Sequence, residues 1–183
     1  MNSRVQVMTL ICAGLCMADA TAAGHAHVHG VARIDIAIEA KQVSLHLETP
    51  MANVLGFEHA PRTAAERAQA RAALEQLQNG ARWWRIDPAA QCVVSQVQID
   101  ADALRQTDEA KTGTQAPDEH ADIDADYVFT CADAARAATI EVGMFKDWPH
   151  LHRIDVQVAG PRGQFKRTLD PAHDRLRSEE HTS

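Results

Sequence analysis

Along 28–39 the even positions hold Val28, Gly30, Ala32, Ile34, Ile36 and Ile38, and the odd ones hold His29, Val31, Arg33, Asp35, Ala37 and Glu39. Successive side chains of a strand point to opposite faces, so this alternation specifies a strand with one face buried. The next run repeats it, with Val43, Leu45 and Leu47 against Ser44, His46 and Glu48. Two such strands joined around Ala40 and Lys41 predict an antiparallel hairpin, although these are not the favoured turn residues. His46 should face outward among polar neighbours, as a surface strand histidine rather than a ligand.

The remaining chain is read in the same way. Thr49 and Pro50 end the second strand, and 51–57 can form a helical turn. Pro61 holds Ala60 extended. Thr63 and Glu66 have the spacing of a capping box, which starts an Ala-rich helix that stops at Asn79 and Gly80. Its alanine face suits close packing on a sheet. Strands are expected at 91–99, with Val93, Val97 and Ile99 buried, and at 127–131, 140–145, 154–158 and 164–169. Trp83 and Trp84 lack a surrounding aromatic cluster, so core packing is favoured over a carbohydrate platform. The fold class is α+β, predominantly antiparallel sheet with one main helix at about 63–79.

The stretch 100–126 differs in kind. It carries nine acids and two bases, with Gly113 and Pro117 and no apolar period, and reads as an acidic loop. An anionic loop raises the local cation concentration and is able to close over a metal held elsewhere. The 183 residues and 45% hydrophobic content suit one domain with a real core. A formal net charge of −7 argues against nucleic acid or an anionic membrane surface as partner.

The ends are set aside. Arg4, an apolar run at 5–17 too short to span a bilayer, and Ala20-Thr21-Ala22 read as a cleavable secretory signal peptide at 1–23. Leu15 before Cys16 departs from a lipobox, so no membrane anchor is expected. Residues 177–183 resemble the translation of a sequencing adapter, so they are treated as a non-native tail and His181 is not counted as a ligand. A single domain at 24–176 remains. It keeps two cysteines, Cys92 and Cys131, and in an oxidising compartment such a pair favours a disulfide. The alternative, a cysteine-containing zinc site, lacks any Cys-x-x-Cys partner.

Three histidines stand at alternate positions, His25, His27 and His29, and a second His-x-His, His150 and His152, follows Pro149. On a strand, the first set would align its imidazoles along the polar face shared with Arg33 and Asp35. Imidazole suits zinc better than hard cations such as calcium. The second pair belongs to a loop after Pro149, or to the core side if the following strand begins early.

The motifs His27-Val28-His29-Gly30-Val31-Ala32 and Asn53-Val54-Leu55-Gly56-Phe57-Glu58-His59-Ala60-Pro61 resemble the ZrgA-like periplasmic proteins associated with zinc uptake. The similarity continues through Cys92, the acidic loop, Tyr127 to Cys131, Phe145, Trp148-Pro149 and the closing strands. The resemblance implies a secreted zinc-binding accessory to a zinc ABC importer or its solute-binding protein, in a Gram-negative periplasm. Carried over by position, the metal ligands are His27, His29, His59 and His120; apart from the resemblance, His25 is read as a mobile auxiliary near the new N-terminus, and His150 and His152 as further candidate ligands. Four such nitrogens are enough for a tetrahedral zinc site. Where the family often carries repeated histidines in the loop, this chain has His120 alone, which favours one defined site over storage. His59 has a second reading, as a residue that fixes its own loop by hydrogen bonds.

Two other functions are weighed. A protein-binding adaptor would dock on a transporter component with incidental histidines, and a homodimer stays open. A zinc hydrolase would need a base, for which Glu58 is the one candidate, but His-Glu-x-x-His and Gly-x-Ser-x-Gly motifs are both absent. The chain is therefore expected not to be an enzyme.

Overall fold

The structure, a computed structural model, describes residues 28–105 and 122–177. The expected signal peptide at 1–23 and residues 178–183 of the expected tail lie outside the described residues. Strand β1 (Val31–Ile38) pairs antiparallel with β2 (Gln42–Pro50), as the alternation predicts. The turn between them closes with Glu39 N–H donating to the Gln42 carbonyl at 2.9 Å. Helix α1 (Met51–Leu55) follows at once and ends on Gly56, whose φ of +82° closes the turn back. Helix α2 (Ala64–Gln78) starts with the full capping box, Glu66 N–H on Thr63 Oγ1 and Thr63 N–H on the Glu66 carboxylate. The backbone N–H groups of Thr63 and Arg62, both donating to the Glu66 carboxylate, hold its carboxyl below the usual range.

The rest of the chain builds β3 (Trp84–Ile86), β4 (Cys92–Asp100), a short helix α3 (Asp102–Arg105) and β5 (Asp122–Cys131). It finishes with β6 (Thr139–Val142), β7 (Arg153–Gly160), β8 (Gly163–Leu169) and β9 (Arg175–Arg177). Six strands form the main sheet in the order β4-β5-β2-β1-β7-β8, and β3-β6-β9 form a smaller one. The protein is α+β and mostly antiparallel, but β1 and β7 pair in parallel.

One face of the main sheet is apolar. Ile34, Ile36, Leu45, Leu47, Ile123, Tyr127, Ile154 and Val156 are all buried there. The cover includes Leu77 of α2, Met144, Leu176 and the three tryptophans Trp83, Trp84 and Trp148. Trp83 meets Trp148 edge-on at 4.8 Å and donates its indole N–H to Asp147 at 2.8 Å. Both members of the Trp83-Trp84 pair are thus core residues. The Tyr127 hydroxyl donates to the Leu77 carbonyl at 2.7 Å, tying the end of α2 to the sheet. Burial pushes that phenol's pKa far upward. Cys92 and Cys131 lie opposite each other in the β4–β5 ladder and are joined as a disulfide.

Four sequence expectations need correction. Strand β1 begins at Val31, because Gly30 has φ +78° and Val28 to Gly30 form a turn. His29 is therefore not on the strand face of Arg33 and Asp35. Val93 is 66% exposed, because a bulge between Val94 and Gln96 inserts one residue and reverses the parity of β4. Val97 and Ile99, beyond the bulge, are partly buried. The acidic stretch does not run to Asp126, since Asp122 to Asp126 already belong to β5 with Ile123 and Ala125 buried between the acids. Finally, the strand expected at 140–145 stops at Val142, and Met144 to Lys146 form a short 3₁₀ turn with Met144 buried. Among the described residues, no helix is long and apolar enough to cross a membrane.

Candidate metal centre

The ladders decide which loops meet. Val31 opposite Arg153 in the parallel pair puts the residues before β1 and before β7 at the same end of the sheet. The antiparallel β2 finishes at that end and delivers α1 and the loop carrying Glu58 and His59. Strand β5 also starts there, with Asp122 opposite Pro50. Four chain segments distant in sequence thus share one rim.

At this rim His29 Nε2 lies 2.6 Å from Glu58 Oε1. Both side chains are at least one-third exposed, so the pair is accessible from solvent. The second His-x-His packs against two glycines of positive φ, Gly30 and Gly56. A β-carbon placed on Gly56 would fall 2.8 Å from His150 Nε2, and one on Gly30 would fall 2.9 Å from His152 Cδ2. His150 and His152 are therefore loop residues seated against Gly56 and Gly30, two residues before Glu58 and one after His29 respectively. The strand begins at Arg153, so His152 does not enter the core.

His59 sits in the same loop as Glu58. Its Nδ1–H donates to the Ala60 carbonyl at 3.0 Å, and its ring stacks on Phe57 at 4.8 Å. A histidine whose Nδ1–H is engaged by a backbone carbonyl keeps the Nε2 lone pair for another partner, the usual arrangement of a metal-ligating imidazole. The same bond also fixes the loop.

His25, His27 and His120 lie outside the described residues. Connectivity leaves His27 next to Val28 and His120 two residues before Asp122. Among the described residues, no group of three or more His, Cys, Asp or Glu side chains is arranged to hold a metal ion. What is present is a set of nitrogen and carboxylate donors, His29, Glu58, His59, His150 and His152, on converging segments. That chemistry fits zinc, which accepts both imidazole and carboxylate.

His46 faces outward, as its parity predicts. Its Nδ1 is 2.8 Å from Asp126 Oδ1 and its Nε2 is 3.8 Å from Asp124 Oδ1. Burial pushes the Asp124 carboxyl above its usual range, and the nearby Glu48, Asp100 and Asp126 charges add to this while His46 opposes it.

Sequence reasoning named Glu58 only as a candidate base and gave Asn53 no role beyond membership of a motif. For Glu58 the signal was its place beside His59. Its pairing with His29 depends on two loops brought together by the sheet.

A family model described as "ZrgA family zinc uptake protein" matches residues 26–178. No curated protein matches the chain.

Proposed function

The chain belongs to the ZrgA family of zinc uptake proteins, and on that premise we propose that it is a non-catalytic periplasmic protein that captures zinc at the His29–Glu58 rim and delivers it as an accessory to a zinc ABC importer. The observation that carries this is the 2.6 Å contact between His29 and Glu58, with His150 and His152 seated against the neighbouring glycines. An imidazole and a carboxylate that already meet at a solvent-accessible point form a pair that can part to take a zinc ion between them, at about 2.0–2.1 Å from each. His59, His27 and His120 are proposed to complete the coordination, with His25 as an auxiliary.

Exposure and ligand type suit a carrier. Imidazole and carboxylate hold zinc less tenaciously than thiolates, and the mature cysteines are consumed in the disulfide. Protons compete with zinc for imidazole nitrogen, so binding should weaken as the pH falls through the ordinary histidine range, about 6.5.

Zinc titration of the secreted domain by calorimetry tests the proposal. His29→Ala and Glu58→Ala are each expected to weaken binding by about tenfold or more, and the His27→Ala/His29→Ala pair by more than His29→Ala alone. His59→Ala should weaken it while leaving the fold intact. Wild-type affinity in both His29→Ala and Glu58→Ala would remove the site. Failure of the wild-type chain to bind micromolar zinc would favour an adaptor that docks on a transporter component.

A further inference from the structure

We propose that Asn53 is the positioning residue of this rim, holding the segments that carry His29, Glu58, His150 and His152 in one arrangement without itself touching zinc; this rests on the function proposed above. Asn53 is 1% exposed, and it and Thr49 are the buried polar residues among those described. An amide taken out of water is costly unless every polar atom is paired. Here the pairing is complete in protein atoms. Asn53 Oδ1 accepts from Gly30 N–H at 2.7 Å, and Nδ2 donates to the Val31 carbonyl at 2.9 Å and to Thr49 Oγ1 at 3.0 Å. Helix α1 thereby grips the start of β1 on both sides of the Gly30–Val31 peptide.

Gly30 is where the grip matters. It directly follows His29, and its φ of +78° sets the direction in which His29 leaves the sheet. Its carbonyl accepts from the N–H groups of His152 and Arg153 at 2.8 and 2.9 Å, so the same residue also anchors the His150–His152 loop. On the other side, α1 runs three residues from Asn53 to Gly56, against which the His150 ring packs, and two more to Glu58, which meets His29. The result is a closed circuit, amide to Gly30, Gly30 to the β7 loop, that loop to Gly56, and Gly56 back through α1 to the amide. A leucine at this position would serve the core equally well but would leave Gly30 N–H unpaired and the circuit open. The amide points at backbone atoms and the Thr49 hydroxyl and is shielded from solvent, so its effect on zinc runs through His29 and its neighbours.

The experiment is a double-mutant cycle on the secreted chain, with zinc alone as titrant and a thermal melt of each zinc-free variant beside it. Asn53→Ala is expected to weaken zinc binding by about 10- to 100-fold, as loss of an outer-shell partner does. Asn53→Asp, which keeps the acceptor for Gly30 N–H, should recover part of that loss. In the His29→Ala background, Asn53→Ala should cost less than in the wild-type chain, because part of its effect runs through His29. Folded Asn53→Ala with wild-type affinity overturns the inference, and so does a loss of equal size in the presence and absence of His29. If Asn53→Ala does not fold, Asn53→Asp and Thr49→Val carry the test, and wild-type affinity in both overturns it. His29→Ala with undiminished binding would instead remove the zinc site itself, whereas a loss in His29→Ala with none in the Asn53 variants removes only the role of Asn53.

Discussion

At the scale of single residues, Gly30 and Gly56 do more than turn the chain. Each supplies a left-handed backbone and a missing β-carbon, and each vacancy is filled by an imidazole. Gly56→Ala therefore imposes two costs, the left-handed φ of +82° and a methyl group 2.8 Å from His150 Nε2. It should lower stability by about 1–2 kcal/mol in denaturant melts and shift the His150 ring resonances in NMR spectra. Unchanged His150 resonances would mean that the ring does not rest on Gly56. A sequence reader sees two glycines and two histidines here, nearly a hundred residues apart in one case, with nothing local to connect them. The capping box of Thr63 and Glu66, by contrast, was fully legible, because every atom in it lies within four residues. Asn53 marks the same boundary, since its residue type is visible but its bonds to Gly30 and Val31 are made across the fold.

Elements were legible where a period survived and illegible where something interrupted it. The β1–β2 hairpin, α2 and the turn into β8 follow from alternation, capping and glycine placement. Strand β5 was cut short in the reading because Asp122, Asp124 and Asp126 raised the charge of its first half, although Ile123 and Ala125 kept the period of two. In β4 the bulge between Val94 and Gln96 reverses the parity, and no residue type announces it. Ser95, at the bulge, donates its hydroxyl to the Val128 carbonyl at 3.0 Å. The disulfide is the element-level clamp on this edge, joining β4 to β5 at a sequence separation of 39. Reduction, or replacement of both cysteines by serine, should cost about 2–4 kcal/mol of stability on the chain-entropy account. Thermal melts with and without reductant measure this, and equal melting temperatures would show that β4 is held by its ladder alone.

On the scale of the molecule, the polar face of the sheet gathers negative charge in adjacent rungs. Asp124 stands opposite both Glu48 and Asp100, and Asp126 stands opposite His46. Because burial first, and then neighbouring acids, raise the Asp124 carboxyl above its usual range, the folded chain binds that proton more tightly than the unfolded chain does. The ionised group therefore costs stability at neutral pH, and the cost disappears as the pH falls through the raised value towards the unfolded value of about 3.9. Asp124→Asn should raise the melting temperature at pH 7, with the gain shrinking as the pH is lowered to about 4. A lower melting temperature at pH 7 would show that the contact with His46 outweighs the repulsion. The layered architecture was legible from the apolar faces alone, but the meeting of the rim loops was not. That depends on strand order, which alternation does not specify.

The parallel union of β1 with β7 also sets an order of events. The first strand of the domain lies in the interior of the main sheet, yet one of its two neighbours follows it by roughly 120 residues, so that edge waits through most of synthesis. The β1–β2 hairpin can form early and locally. The rim that carries His150 and His152 exists only after β7 has arrived, so His29 and Glu58 gain their neighbouring histidines only in chains that have finished folding.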